Sequence, residues 1–309
     1  MDSQLHFVSP MDRALYLKSL YLLRDLSASE LAGLSQHARE RSFRRGTRVF
    51  SPGNPITSFH VVVEGRILVL GGEYGEGEVG PSGILGLFSL LARNTDGLDA
   101  TCETDVITLE ISAEALHEVY EDNFDVLLRQ IRSLADITLN ERKQIAVGTY
   151  LASDIPPATG ELGLIDRLFF LLGGGLSTRN MDALMEMARG VREVRFPAGS
   201  VLWRPGDPSG HALPLVEGTV HCRIPGEDRR WFRAGPGYPL GNIESMAAKP
   251  RWYEAVAETP VFALQAETDQ FLDMLEDHFE MALDFTAAMA QGIIRILDQK
   301  RAGVTPNTG

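Results

Sequence analysis

Short stretches of β-branched and aromatic residues recur through each half of the chain, separated by Gly, Pro, Asn and Asp. They occupy residues 47–50, 60–63, 66–70 and 106–111 in the first half, and residues 200–203, 212–216, 219–224 and 261–265 in the second. Runs of this length between turn residues predict antiparallel strands joined by tight turns. The pattern therefore predicts one sandwich or barrel of strands in each half.

Helical spacing of apolar residues precedes each predicted sheet. Ser27 and Glu30 have the spacing of a capping box at the start of a helix. In the second half the equivalent helix is predicted from about Ser177. The apolar faces are Leu31, Leu34 and Ala38 in the first helix and Leu184, Met187 and Val191 in the second. Residues 14–23 and 168–172 predict a lead-in helix before each.

A longer helix follows each predicted sheet. Its apolar stripe consists of Phe124, Leu127, Ile131, Leu134 and Thr138 in the first half, and of Phe279, Leu283, Thr286, Ala290, Ile293 and Leu297 in the second. Spacings of three and four residues predict helices that pack along their length against another helix. Small residues at 287, 288 and 292 predict a close approach. We therefore expect an intrachain pseudo-dimer of the two stripes, with a homo-oligomer as the alternative.

The two halves are copies of one unit. Pro-Gly-Asn-Pro at 52–55 returns as Pro-Gly-Asp-Pro at 205–208, and Val-Glu-Gly at 63–65 returns at 216–218, both 153 positions later. A period of this size is that of a whole domain. We predict a first domain over residues 1–150, a linker over 151–164, a second domain over 165–303 and a tail over 304–309.

The surface charge argues against nucleic acid as a partner. The 309 residues carry a formal net charge of −13, and an acidic surface repels phosphate backbones. The arginines between 39 and 48 alternate with apolar residues, as in a strand with one solvated face. No stretch is long and apolar enough for a membrane span, and the first residues lack a basic signal-peptide start. We expect a cytoplasmic protein with no membrane partner.

The order of helix, Gly-punctuated strands and long helix resembles that of cyclic-nucleotide-binding domains. The resemblance rests on the segments from Gly46 to Pro55 and from Gly199 to Pro208, and on the two Val-Glu-Gly turns. It implies an α+β fold of two tandem β-roll domains, that is, double-stranded β-helices or jelly rolls. Each domain would have N-terminal helices and a long C-terminal helix.

The resemblance also implies a phosphate-binding cassette, in which a Gly-Glu pair opens a short helix and an arginine follows about ten residues later. In the second half the candidate ligand-binding residues are Gly241, Asn242, Ile243, Arg251, Trp252 and Tyr253. Asn242 replaces the acid that would accept a ribose hydroxyl, which weakens that hydrogen bond because a neutral acceptor replaces a charged one. Trp252 would either stack on a base or plug the pocket. The alternative is that Arg251 is a solvated turn residue.

The first half departs further from this cassette. Gly86 is followed by Leu87 where the acid belongs, and Asp96 stands at the arginine position. Leu87 cannot bond a ribose hydroxyl, and a carboxylate at Asp96 would repel a cyclic phosphate. We expect this degenerate site to bind no cyclic nucleotide.

These observations favour a regulatory or scaffold protein without catalytic activity. A protein partner is expected, a cyclic nucleotide is a candidate ligand of the second domain alone, and no cofactor is expected. The alternatives are a functional cAMP or cGMP sensor that signals to a protein partner, and a cupin-like metal enzyme. The metal alternative is disfavoured because no two of the seven His residues lie two positions apart. Too few residues follow Leu297 for a DNA-reading helix-turn-helix.

Overall fold

The computed structural model describes residues 9–20, 27–72, 75–93, 98–145, 150–152, 160–172, 180–226 and 230–301. The chain divides into two compact units. Unit 1 contains Met1–Gln130 and Ala290–Asp298, and unit 2 contains Ile131–Met289 and Gln299–Gly309. Within the described residues, no helix combines the length and the apolar character needed to cross a membrane.

The first repeat runs from two helices through a β-roll to two further helices. Its elements are α1 (Pro10–Lys18), α2 (Ala28–His37), β1 (Arg39–Phe43), β2 (Arg48–Phe50), β3 (Ser58–Glu64), β4 (Ile67–Gly71), β5 (Gly75–Val79), β6 (Ile84–Leu85), α3 (Leu87–Leu91), β7 (Asp99–Cys102), β8 (Val106–Ser112), α4 (Ala113–Asp122) and α5 (Phe124–Ile145). The strands form two antiparallel sheets, ordered β1-β8-β3-β6 and β2-β7-β4-β5.

The second repeat follows the same order. Its elements are β9 (Tyr150–Leu151), α6 (Leu164–Leu172), α7 (Met181–Gly190), β10 (Arg192–Phe196), β11 (Val201–Trp203), β12 (His211–Glu217), β13 (Val220–Arg223), β14 (Trp231–Ala234), β15 (Pro239–Leu240), α8 (Asn242–Met246), β16 (Glu254–Ala257), β17 (Val261–Glu267), α9 (Thr268–Asp277) and α10 (Phe279–Arg301). Its sheets are ordered β10-β17-β12-β15 and β11-β16-β13-β14-β9, with β9 parallel to β14.

The repeated Val-Glu-Gly turn needs its glycine for two reasons. Gly65 and Gly218 have φ of +85° and +90°, a conformation that side chains with a Cβ rarely adopt. A Cβ at either position would also meet a backbone oxygen, of Asp105 or Pro260, at 2.2 Å. The glycine therefore lets β3 pass into β4, and β12 into β13, beside the loop that leads into β8 or β17.

The predicted α+β fold with two β-rolls is confirmed, and each predicted strand overlaps an observed one. The capping box at Ser27 and Glu30 is also confirmed. The described part of the second helix begins at Met181, with Asn180 as its N-cap. The expectations for Ser177, for residues 21–23 and for residues 153–159 of the predicted linker lie outside the described residues.

The apolar stripes of the long helices are buried at most of their predicted positions. Leu127, Ile131 and Leu134 on α5 and Ala290 and Ile293 on α10 have no exposed surface. The expectation that Gly292 permits a close approach is wrong. A Cβ built on Gly292 meets no atom of the described residues within 4 Å, because this glycine faces open space.

Candidate ligand-binding site

The short helix α8 follows strand β15 through Gly241. Gly241 adopts a left-handed conformation, with φ of +79°. A Cβ there would lie 2.2 Å from a terminal nitrogen of Arg251 and 3.0 Å from the Trp203 ring. Glycine is therefore required both by the turn and by the side chain packed against it.

Arg251 is the largest fully buried side chain of the described residues. Its Nη1 donates to the Gly241 carbonyl oxygen at 2.9 Å, and its Nη2 donates to the His211 carbonyl oxygen at 2.5 Å. The Trp203 ring covers the guanidinium, with its centroid 4.0 Å from Cζ. Arg251 is therefore an interior residue of the β-roll, and the alternative of a solvated turn residue is wrong.

The backbone of Arg251 is fixed by the repeated Pro-Gly-Asp-Pro turn. The Arg251 amide donates to the Asp207 carbonyl oxygen at 2.9 Å, and the Gly206 amide donates to the Arg251 carbonyl oxygen at 2.8 Å. These two backbone hydrogen bonds to the turn between β11 and β12 fix the position of Arg251 within the β-roll. The turn motif thus positions the guanidinium as well as reversing the chain.

The third partner of the Arg251 guanidinium is the carboxylate of Glu244, on α8. Glu244 Oε1 lies 3.4 Å from Arg251 Nη1, and the Glu244 side chain is 4% exposed. Burial of an ion pair is unfavourable unless the two charges meet each other and other polar groups. Here the cation is shared between one carboxylate and two carbonyl oxygens.

The carboxylate of Glu244 changes the pKa values of other groups buried in the β-roll. Burial raises the pKa of Tyr253 well above its ordinary value, and Glu244 raises it further. Burial also raises the pKa of the Cys222 thiol well above its usual range, again with a contribution from Glu244. Both groups are therefore neutral near pH 7. Burial lowers the pKa of His211, and the Arg251 cation lowers it further.

Aromatic side chains fill the roll beyond Arg251. Tyr253 is buried, and its ring lies edge-on to Trp203 at 5.7 Å and to Phe232 at 4.9 Å. Trp252 is half-buried and stacks on Phe232 at 5.9 Å with an interplanar angle of 23°. Asn242 and Ile243, which begin α8, are half-buried.

In the first β-roll, apolar side chains pack against Gly86, the counterpart of Gly241. Gly86 precedes α3 with φ of +84°, and a Cβ there would meet the Phe50 ring at 2.9 Å and Ile56 at 3.7 Å. Leu87 is buried. Asp96 lies outside the described residues. A phenyl ring thus lies beside Gly86, whereas a guanidinium lies beside Gly241.

A histidine is buried next to Phe50. His60 is 4% exposed, and its Nδ1 lies 3.0 Å from the Thr108 hydroxyl. Burial lowers the pKa of His60 to about 4. The ring is therefore neutral near pH 7 and supplies no positive charge for an anion. In the described part of the chain, no group of three or more His, Cys, Asp and Glu side chains is placed to hold a metal ion.

A family model for the cyclic nucleotide-binding domain matches the chain twice, over residues 40–123 and 193–278. The chain belongs to the cyclic nucleotide-binding domain family. Both matches begin in the first strand of a β-roll and end at the junction of its two closing helices. The chain thus carries two tandem cyclic nucleotide-binding domains.

One curated relative is a cyclic nucleotide-gated potassium channel of Mesorhizobium japonicum, 29% identical over 99 residues. That match covers 32% of this chain and 27% of the channel, so the chain spans about a quarter of this relative.

The solved structures to which this chain is similar include a PKA regulatory domain and a cyclic nucleotide-binding-like protein. The regulatory domain of Toxoplasma gondii PKA, solved with cAMP, is 14% identical, with a TM-score of 0.35 over 95% of this chain and 97% of that one. A cyclic nucleotide-binding-like protein of Brucella abortus is 25% identical, with a TM-score of 0.31 over 36% of this chain and 98% of that one.

Three residues of the site were missed at the sequence level: Glu244, Trp203 and His211. Glu244 carried one usable signal, because it is the only charged residue between Pro239 and Ala248. A lone charge in such a run is expected to have a buried partner. The carbonyl of His211 gave no signal, since it meets Arg251 across 40 positions of the chain.

Proposed function

We propose that this protein is a regulatory or scaffold protein without catalytic activity, built from two cyclic nucleotide-binding domains of unequal ability to bind a ligand. The observation that carries the proposal is the difference beside the two glycines. The Trp203 ring and the Arg251 guanidinium lie against Gly241, whereas the described residues place only the Phe50 ring and Ile56 against Gly86. The fork of an arginine suits a phosphate, and a phenyl ring offers it no hydrogen bond.

Any nucleotide-type ligand of this chain therefore binds in the second domain and depends on Arg251. Asn242, the first residue of α8, supplies a neutral acceptor, and the half-buried Trp252 is the candidate for contact with a base. The first domain, with Phe50 against Gly86, serves the architecture, and a protein partner is expected for the chain as a whole. The alternative is a cAMP or cGMP sensor that uses the same pocket. In that case, binding of the cyclic nucleotide would control the interaction with the protein partner.

A thermal-shift screen of the full chain against cAMP, cGMP and cyclic dinucleotides tests the proposal. Replacing Arg251 by Ala would leave the buried Glu244 carboxylate without its cation, so Arg251→Lys is the better probe. It keeps the charge and loses the planar fork. We expect Arg251→Lys to abolish ligand-induced stabilisation.

The matched control is Arg204→Lys, because Arg204 is exposed on the turn that holds Arg251. This variant should respond to the ligand as the unmodified chain does. Undiminished stabilisation of Arg251→Lys by the same ligand would show that the binding site lies elsewhere.

A further inference from the structure

The two terminal nitrogens of Arg251 are already bound by the protein itself, whereas its buried Nε has no hydrogen-bond partner among the described residues. Both of its terminal nitrogens donate to interior acceptors, and the Trp203 ring covers one face. One of these acceptors, Glu244, carries a full negative charge when ionised, as an incoming phosphate does. The chain therefore contains a carboxylate that competes with a phosphate for the same nitrogen.

We propose that Glu244 is a built-in counter-anion that occupies Arg251 and makes the second domain a poor receptor for cyclic phosphates. This inference rests on the proposed role of Arg251. To reach the guanidinium, a cyclic phosphate has to displace the carboxylate or be buried beside it. Like charges brought together at a desolvated site cost several kcal/mol, so either route lowers the affinity.

Among the described residues, Arg251 is the only cation at hydrogen-bond distance from the Glu244 carboxylate. Its carboxylate faces Tyr253, Tyr238 and Cys222, whose pKa values burial raises, with a further contribution from Glu244. These groups are neutral near pH 7, so they do not offset a second negative charge. Among the described residues, Arg251 is the only cation that contacts the carboxylate, so a bound phosphate would bring a second negative charge to the same guanidinium.

The first domain offers an internal comparison. At the offset of 155 positions that relates Gly86 to Gly241, the counterpart of Glu244 is Ser89. Ser89 is buried, as Glu244 is, and its side chain is a neutral hydroxyl. The acid thus occurs in the copy that has the arginine. A counter-anion is expected to occur together with its cation in this way. Ser89 also indicates that the short helix tolerates a small neutral residue at this position.

The test is the affinity of the full chain for cAMP and cGMP, measured by titration calorimetry. Glu244→Gln removes the charge and keeps the shape, and we expect it to bind at least about tenfold more tightly than the unmodified chain. Glu244→Ser, which takes the residue of the first domain, provides a second variant in case the first folds poorly. Circular dichroism and a thermal melt establish that each variant is folded.

Two controls separate this inference from the proposed function. Glu254→Gln removes a carboxylate that pairs with the exposed Arg223 at 3.1 Å, and it should leave the affinity unchanged. Adding Arg251→Gln to Glu244→Gln should abolish the gain. A folded Glu244→Gln or Glu244→Ser chain that binds no more tightly than the unmodified chain overturns the role of Glu244. A gain that survives Arg251→Gln refutes the role of Arg251 instead.

Discussion

Single residues distinguish two binding domains whose backbones follow the same course. Gly86 and Gly241 adopt nearly the same left-handed conformation and each begins a short helix. An aromatic ring packs against each glycine, Phe50 in the first domain and Trp203 in the second, and among the described residues the second domain alone adds a buried guanidinium, that of Arg251, which pairs with Glu244. The chemistry of each pocket follows from these few side chains.

The buried His60 makes the first domain sensitive to acid. Its pKa in the folded chain is about 4, below the ordinary 6.5, because burial disfavours the imidazolium. The unfolded chain therefore takes up this proton first as the pH falls. The stabilisation is complete above about pH 6.5 and is lost progressively as the pH falls to 4. The loss amounts to about 3 kcal/mol in the free energy of unfolding.

The residue that corresponds to His60 in the second domain is Leu213, so His60→Leu is the natural test. The variant loses the bond between His60 and Thr108 and should be less stable at pH 7. Its stability should then fall less steeply between pH 7 and pH 4, as measured by urea unfolding. Parallel loss in the two chains over this range would show that His60 does not titrate as described.

At the scale of elements, the sequence predicts the features that are determined by residues close together along the chain. Alternating strands, Gly turns and the capping box at Ser27 are local patterns, and the structure confirms them. Short strands such as β6 and β15 carry too few residues for any period. The Glu244 side chain meets Arg251, which in turn bonds to a strand residue 40 positions before Arg251, so no local pattern reveals the pairing.

Helix α10 contains a glycine that its packing does not require. A Cβ at Gly292 would meet open space, and its φ is not in the left-handed region. Gly292→Ala should therefore raise the free energy of unfolding by about 0.5–1 kcal/mol through helix propensity. Urea unfolding of the full chain measures the change.

Gly241→Ala is the matched comparison for that substitution. There the Cβ would lie 2.2 Å from an Arg251 nitrogen, and φ is +79°. This variant should have a lower free energy of unfolding, because neither the backbone of the turn nor the buried guanidinium can move without a large cost. Equal effects of the two substitutions would contradict the packing described for both glycines.

At the scale of the whole molecule, the centre of the apolar stripe of α10 (Thr286, Ala290 and Ile293) is buried within one chain. Ala290 and Ile293 have no exposed surface, and Ile294 packs with Ala92 in a cluster flanked by Phe88 and Leu91. We therefore predict that the apolar stripes of the two long helices are buried within one chain. A homo-oligomer built on these stripes would need them exposed.

Ile293→Asp tests this prediction by burying a charge at the centre of the stripe. We expect the free energy of unfolding to fall by several kcal/mol, since an isolated charge is costly in an apolar interior. Arg295→Asp places the same side chain on the exposed face of α10 and should have a small effect. Light scattering that shows an obligate dimer converted by Ile293→Asp into stable folded monomers would refute the intrachain arrangement.

The most direct test of the central claim is where a cyclic nucleotide binds along the full chain. Backbone amide spectra of the isotope-labelled protein, recorded with millimolar cAMP or cGMP, report each domain separately and detect weak binding. We predict changes in the amide chemical shifts of Gly241, Asn242 and Arg251 and none in those of Gly86 or Leu87. Shifts at Gly86 and Leu87 with an unchanged second domain would contradict it.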